Sequence, residues 1–324
     1  MRLLSFLLAA LLVLTACGTS SDDEDLTDEA QAETLDIGVS DPLLAHLIGQ
    51  VTGDEGALNP LMGAGEDIRE FVPGPEAAEL LADADIVFES GRSLNDALTV
   101  FALENTGEDT VHAILGDQAI SEDEIMTGRI VDHVTHAHRV EASTQLWGDV
   151  TYARRYVRSA ARQLASIDPD SGIDYEANAE AYVEQLDALD SAIREAVGTI
   201  PEESRRLAVA ADEWSYFARR YNLELLELYA PDPDAPLEDE LRELRDEVVL
   251  FEPPVLFDGP ALDDAQLQEL ADNIDAQVVR SPILAGLPGE PGDPEHSYVA
   301  MMAEAARAIV EGLGGDASAL DSVG

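Results

Sequence analysis

The histidines of this chain are concentrated in one short segment, and imidazole is a strong ligand for transition metals. Half of the six histidines lie at His133, His136 and His138. Three imidazoles this close together can bind zinc or nickel, and in an extended strand His136 and His138 would point to the same side. The alternative is a solvated segment whose histidines contact nothing. The sequence leaves both interpretations open.

A single cysteine near the start of the chain has a different chemistry. Arg2 is followed by an apolar run that ends at Leu14, which is the layout of a secretory signal. The run is shorter than the roughly 20 residues needed to cross a bilayer. The segment that ends at Cys17 resembles the lipobox of bacterial lipoproteins, in which the cysteine is lipidated. We therefore expect a lipoprotein signal peptide at 1–17, a lipid anchor on Cys17, and an acidic, disordered tether at 18–34.

Sequence motifs of enzyme chemistry are missing. The chain has no Gly-rich phosphate loop after a strand, no Gly-x-Ser-x-Gly elbow, no His-Glu-x-x-His and no pair of cysteines. Acidic residues are so frequent that a pair of carboxylates does not indicate a glycosidase. We therefore expect a protein that is not an enzyme and that has no catalytic cofactor.

The net charge of the chain restricts its partners and its solvent. The sequence has 67 Asp plus Glu against 18 basic residues, all of them Arg, for a net charge of -49. Such a surface repels nucleic acid and anionic lipid headgroups, so neither is expected as a partner. Concentrated salt screens this self-repulsion, over roughly 3 Å at 1 M. Because the acids are spread along the whole chain, they indicate a salt-adapted bacterial source and not one cationic ligand.

Short apolar strands alternate with helical segments on both sides of a longer helical stretch. Strands are predicted at 35–39, 84–88, 111–115, 206–210, 223–228, 248–251 and 276–279. Residues 121–140 form a polar connection without a clear period. The long stretch carries one apolar stripe, made by Tyr182, Leu186, Leu189, Ile193, Val197 and Ile200.

This alternation predicts an α/β fold of two βα lobes, each a parallel sheet with helices on both faces. We place the lobes at 35–172 and 201–318, joined by one long spanning helix at 173–200, with the ligand cleft between them. A long connecting helix is stiff, so binding is expected to cause a small tilt of the lobes and not a wide hinge closure.

Four segments of the chain match one known family in its own order. They begin at Leu61 with LMGAGEDIREFVPGP, at Ala82 with ADADIVF, at Tyr175 with YEANAEAY and at Trp214 with WSYFARRY. Together they resemble the solute-binding lipoproteins of zinc and manganese ABC importers. The resemblance extends from about residue 35 to residue 314.

The metal ligands of that family have been replaced in this chain. In the family, a metal is held between the lobes by three His, sometimes a Glu, and often an Asp. The resemblance places these positions at Arg69, Gln145, Ala211 and Ser281. Zinc takes imidazole, thiolate or carboxylate, whereas Arg has no lone pair to offer and is permanently positive. The family's usual metal site is therefore expected to be lost.

One alternative is a metal site rebuilt from neighbouring carboxylates. Acidic residues flank two of the replaced positions, namely Asp67, Glu70, Asp212 and Glu213. Hard oxygen ligands of this kind favour manganese, magnesium or calcium over zinc.

Two further alternatives do not need a metal in the cleft. Arg69, Gln145 and Ser281 together offer hydrogen-bond donors, which suits a small anion clamped by the guanidinium. The cleft could also be empty, in a non-transport interaction or adhesin-type module. The sequence does not decide among the three, because fold alone does not determine the ligand.

The resemblance implies a role and a location. It implies an extracytoplasmic lipoprotein, anchored to the cell membrane through Cys17 on the periplasmic or outer face. This lipoprotein is expected to be a monomer that captures zinc or manganese as a transported ligand and delivers it to an ABC permease and its ATPase.

The histidine segment provides the first test. Replacement of His133, His136 and His138 by Ala should abolish metal binding if these imidazoles are the ligands, because the methyl group of Ala cannot coordinate a metal. Calorimetric titration with zinc measures the loss. Binding that survives the triple replacement would point to the carboxylates near Arg69 instead.

Overall fold

The computed structural model describes residues 34–63, 68, 71–91, 94–132, 137–142, 145–210, 214–228, 237–259, 261–280, 287 and 296–323. Within these ranges, two parallel four-stranded sheets lie on either side of a long helix. The predicted α/β class with two sheets and one connecting helix is confirmed.

The amino-terminal sheet has the strand order β2-β1-β3-β4. Its strands are β1 (Leu35–Val39), β2 (Gly56–Pro60), β3 (Ile86–Glu89) and β4 (Val111–Ile114). Helices follow the strands, as the βα pattern predicts, at α1 (Pro42–Thr52), α2 (Pro75–Ala82), α3 (Asp96–Asn105) and α4 (Leu115–Ala119). Asp41 caps α1 by accepting from the amide of Leu44 at 2.9 Å, and Pro42 occupies the first turn, where its missing N–H has no cost.

The middle of the chain contains a hairpin and two packed helices. The hairpin consists of β5 (Thr127–Asp132) and β6 (Ala137–Ala142), which pair antiparallel. The helices are α5 (Val150–Ile167) and α6 (Gly172–Gly198). At 27 residues, α6 is about 40 Å long, and its predicted stripe is buried against α5, α1 and α10 (Tyr298–Gly312).

The carboxyl-terminal sheet has the strand order β10-β9-β7-β8. Its strands are β7 (Arg206–Val209), β8 (Glu224–Glu227), β9 (Val255–Phe257) and β10 (Gln277–Val279). Besides α10, the helices of this part are α7 (Ser215–Tyr221), α8 (Leu237–Phe251) and α9 (Asp264–Ile274).

Two sequence predictions were wrong in detail, and one helix was not predicted. Residues 248–251 end α8 and do not form a strand; Leu244 and Val248, one turn apart, are buried, whereas Leu250 is 85% exposed. Residues 121–140 contain most of the β5–β6 hairpin, whose strands mix charged and apolar residues and so show no clear period. The helix that was not predicted is α3. Its apolar residues Val100 and Leu103 are exposed, so they do not form a stripe on one buried face.

The hydrophobic core is continuous between the two sheets. One cluster of buried side chains includes Ile37 of the first sheet, Leu189 of α6 and Ile309 of α10. A second, smaller cluster, which includes Leu256 and Leu267, lies within the carboxyl-terminal lobe. No helix in the described ranges is long and apolar enough to cross a bilayer.

Gly91 tests the turn after β3. Its φ is 71°, and a Cβ added there would lie 2.2 Å from Cγ2 of Ile114. Gly91→Ala should lower the free energy of unfolding by about 2–4 kcal/mol, since left-handed strain and overpacking add. Chemical denaturation measures the change. Gly74→Ala is the matched control, because a Cβ at Gly74 meets nothing within 4 Å, and an equal loss in both variants would contradict the explanation.

Candidate metal-binding cleft

The two sheets define where a ligand would bind. In parallel α/β sheets, ligands bind beyond the carboxyl ends of the strands, at the point where the strand order reverses. That point lies between β1 and β3 in one sheet and between β7 and β9 in the other. Three of the four predicted ligand positions follow the carboxyl end of a strand in the sequence. Arg69 comes after β2, Ala211 after β7 and Ser281 after β10.

A buried carboxyl group closes the reversal point of the amino-terminal sheet. Asp41 accepts hydrogen bonds from the hydroxyls of Ser40, which follows β1, and Ser90, which follows β3, at 2.7 and 2.9 Å. Burial raises the pKa of Asp41, and the hydrogen bonds from Leu44, Ser40 and Ser90 oppose that rise. Among the described residues, the hydrogen bonds of this carboxyl group join the ends of β1 and β3 to the start of α1.

Glu89 and His112 form a second buried polar pair under the same edge. Oε2 of Glu89 accepts from the hydroxyl of Thr99, whereas Oε1 has no hydrogen-bond partner among the described residues. Oε1 lies 4.0 Å from Nδ1 of His112, which is also without one in that part of the chain. Burial raises the pKa of Glu89. Buried polar atoms without a partner are uncommon in folded proteins, and these two lie next to each other.

The reversal point of the carboxyl-terminal sheet leads into the segment that carries Ala211. The amide of Ala210 donates to the carbonyl of Phe257 at 3.0 Å, which joins the ends of β7 and β9. Trp214 is the first described residue after this segment, and it is fully buried. Its ring lies edge-on to the ring of Phe217, with the centroids 5.3 Å apart. At the end of β10, Arg280 extends into solvent 3.9 Å from Asp258.

Of the four positions that the resemblance predicted as ligand positions, only Gln145 lies within the described residues. Its side chain is 4% exposed, and it begins the 3₁₀ turn Leu146–Gly148 that leads into α5. A buried amide side chain at this place can donate or accept a hydrogen bond but is a poor metal ligand.

Most of the other residues that the sequence predicted for the site lie outside the described residues. The positions that lie outside them are Cys17, Asp67, Arg69, Glu70, His133, His136, Ala211, Asp212, Glu213 and Ser281. The backbone of His138 lies in β6 and pairs with Val131 of β5. Within the ranges that the structure covers, no group of three or more His, Cys, Asp or Glu is arranged to hold a metal ion.

A buried charge cluster joins the helices that adjoin the cleft. Arg220 of α7 donates to both carboxylate oxygens of Asp190 on α6, at 2.9 and 2.6 Å. Its Nε also lies 3.5 Å from Oδ1 of Asp149, the cap of α5. Burial alone would raise the pKa of Asp190, but Arg220 and Arg194 outweigh it and hold that pKa below its ordinary value. The sequence resemblance included Arg220 without giving it a role.

A second arginine ties α7 to the turn before the hairpin. Arg219 donates to the carbonyl of Glu124 at 2.6 Å and to the hydroxyl of Tyr152 at 2.7 Å. Arg155 of α5 pairs with both carboxylate oxygens of Glu124 at 2.9 Å, which lowers the pKa of Glu124 to about 2. The base of the β5–β6 hairpin is therefore anchored on both α5 and α7.

Two histidines that are far apart in the sequence meet in the structure. The rings of His46 on α1 and His296, just before α10, lie 6.5 Å apart, and Nε2 of His46 is 3.3 Å from the hydroxyl of Tyr182. These two histidines are 250 positions apart in the sequence, and the fold makes them neighbours. Burial, followed by the positive charge that His296 can carry, lowers the pKa of His46 to about 4.

With the fold and the cleft described, comparison with known proteins identifies the family. The sequence model for zinc-uptake complex component A, periplasmic, matches residues 37–312. The chain belongs to this family. Among curated relatives, the metal ABC transporter substrate-binding lipoprotein SsaB of Streptococcus sanguinis is 24% identical over 322 residues, which cover 97% of this chain and 99% of SsaB.

Other members extend the comparison. The manganese-binding lipoprotein MntA of Halalkalibacterium halodurans is 23% identical over 305 residues, 93% of this chain and 95% of its own. The periplasmic zinc binding protein TroA from Treponema pallidum superposes with a TM-score of 0.71 at 20% identity, covering 86% of this chain and 98% of TroA. The family resemblance seen in the sequence is confirmed, and TroA supports the fold.

His46 gives a pH prediction. Its pKa is about 4 when folded and 6.5 when unfolded, so the unfolded chain binds the extra proton and stability falls as the pH drops through this window. The loss from His46 is about 3 kcal/mol by pH 4. His46→Gln should remove most of this term from the pH dependence of urea unfolding between pH 7 and 4. An unchanged slope in the variant would show that His46 is not the source.

Proposed function

We propose that this chain is the substrate-binding component of an ABC importer and that its cargo is a divalent metal ion. The observation that carries the proposal is the family match from residue 37 to residue 312, which includes both lobes and the linking helix. Relatives named for metal ABC transport and for manganese support it. A component of this kind captures its cargo and performs no chemistry on it, so we propose no enzymatic activity.

Carboxylates are the ligands that best fit the replaced positions. Asp67 and Glu70 flank Arg69, while Asp212 and Glu213 follow Ala211. Oxygen ligands of this kind prefer manganese to zinc, because manganese is the harder cation. A carboxylate site also neutralises the guanidinium, which by itself would repel a cation.

The location and partners follow from the same proposal. Cys17 would carry the lipid that anchors the protein on the extracytoplasmic side of the membrane, and residues 18–34 would act as the tether. The loaded monomer would dock on a permease driven by an ATPase. With 67 acidic residues and no Lys, we propose that the protein works in concentrated salt.

Metal titration tests the proposal directly. The soluble body from Ser20 onward is stripped of metal and titrated in high salt with manganese and with zinc. We expect one bound ion, with manganese the tighter. One variant carries Asp67→Asn with Glu70→Gln, and a second carries Asp212→Asn with Glu213→Gln. Each should weaken metal binding at least tenfold, or by about 1.4 kcal/mol.

A matched variant controls for net charge. Glu176→Gln with Glu184→Gln removes two exposed charges from α6 and should leave metal affinity unchanged. Binding of an anion without a metal would reject the metal cargo in favour of a clamp formed by Arg69. Binding of neither would favour a non-transport interaction module.

A further inference from the structure

Arg220 contacts two carboxylates that belong to different parts of the cleft wall. We infer that Arg220 is a positioning residue, which holds the segment containing Gln145 and the segment preceding α7 in one relative placement. For its effect on metal affinity this inference rests on the proposed function, whereas the placement itself is tested without a ligand.

On one side, Arg220 reaches the start of α5. Oδ1 of Asp149 accepts from the amide and the hydroxyl of Thr151, at 2.8 and 2.7 Å, and also lies 3.5 Å from Nε of Arg220. The amide of Asp149 donates to the carbonyl of Leu146 at 3.0 Å. Asp149 is thereby connected to the short turn that begins at Gln145, and a shift of its carboxylate moves that turn.

On the other side, Arg220 is part of a short helix that starts next to the replaced ligand segment. Helix α7 begins at Ser215, and residues 211–213 immediately precede Trp214. Phe217 packs on both Trp214 and Tyr221, with ring centroids 5.3 and 4.7 Å apart. These ring contacts pack the two turns of α7 against Trp214. A displacement of Arg220 is therefore expected to move Trp214 as well.

The charges explain why one arginine serves both sides. Asp149 and Asp190 are 5% and 7% exposed, and both are within reach of Arg220. Two buried carboxylates repel each other strongly in a low dielectric unless a cation lies between them. Without Arg220 they would separate or admit water, and the two segments of the cleft wall would separate with them. The planar guanidinium suits this bridging role, whereas a lysine would offer a single point of charge.

Arg194 provides the matched control within the same cluster. It donates to Asp190 at 3.2 Å from one turn further along α6. Replacement of Arg194 removes one cation from Asp190 but leaves the bridge from α7 to Asp149 in place. The comparison of Arg220→Met with Arg194→Met therefore separates positioning from the general loss of a cation beside Asp190.

Hydrogen exchange of the whole soluble body, without metal, tests the placement. Arg220→Met should raise amide exchange at least tenfold both in residues 145–149 and in residues 214–218, while Arg194→Met should change either segment less than twofold. Asp149→Asn keeps an oxygen to cap α5 but loses the charge, and it should also loosen residues 214–218. Loosening confined to α7 in Arg220→Met, or no effect of Asp149→Asn beyond α5, would overturn the inference.

Manganese titration then tests the consequence for binding. At a temperature where all variants are folded, Arg220→Met and Asp149→Asn should each weaken binding at least tenfold, and the double variant should be no weaker than the poorer single variant. Arg220→Lys should recover part of the affinity, and Arg194→Met should bind as the parent does. Lower stability with unchanged affinity would reduce Arg220 to a structural role.

The two tests keep the two proposals distinguishable. If the parent protein binds no metal, the proposed cargo is rejected while the exchange result still decides whether Arg220 joins the segments. If Arg220→Met does not fold, Asp149→Asn and Arg220→Lys give the same comparison, and parental exchange and affinity in both would overturn the inference.

Discussion

One arginine, placed between two buried carboxylates, joins three helices of the structure. Arg220, Asp149 and Asp190 come from α7, from the start of α5 and from α6. An unpaired buried charge is strongly destabilising, so the three elements keep the geometry that pairs all three groups. Tyr221 adds a hydrogen bond to Asp190, and Tyr298 of α10 donates to the carbonyl of Trp147 at 2.6 Å, so the joint between the lobes is polar as well as apolar.

The chain keeps the scaffold of its family. The core that runs from the first sheet through α6 to α10 is continuous, which agrees with a stiff body. Asp41 and Glu89 are buried carboxyl groups at the carboxyl ends of strands β1 and β3 in the amino-terminal sheet. The pKa values of both are raised, so both favour the neutral form more than an ordinary carboxyl group does.

The strong acidity of the surface also influences how the arginines are used. The sequence has 67 acidic residues and 18 arginines, so acidic residues outnumber possible arginine partners almost fourfold. Exposed pairs such as Arg158 with Glu180 contribute little in water. The arginines that matter are those whose partners are buried or whose donors reach backbone carbonyls, as Arg219 and Arg220 do. The sequence alone does not separate these two groups, because all arginines have the same local appearance.

The periodicity of the sequence by itself determined the βα alternation, the apolar stripe of α6 and the two-sheet class, because burial on one face leaves a local repeat. It misplaced a strand at 248–251, where an apolar run ends a helix, and it missed a hairpin whose strands mix charged and apolar residues. The resemblance identified the family, which the family model confirmed. Only the tertiary structure brought His46 to His296 and Arg220 to Asp149, since contacts between residues separated by tens to hundreds of positions leave no periodic trace. Such pairs form when whole helices and strands pack against each other, and that packing depends on many weak contacts along each element.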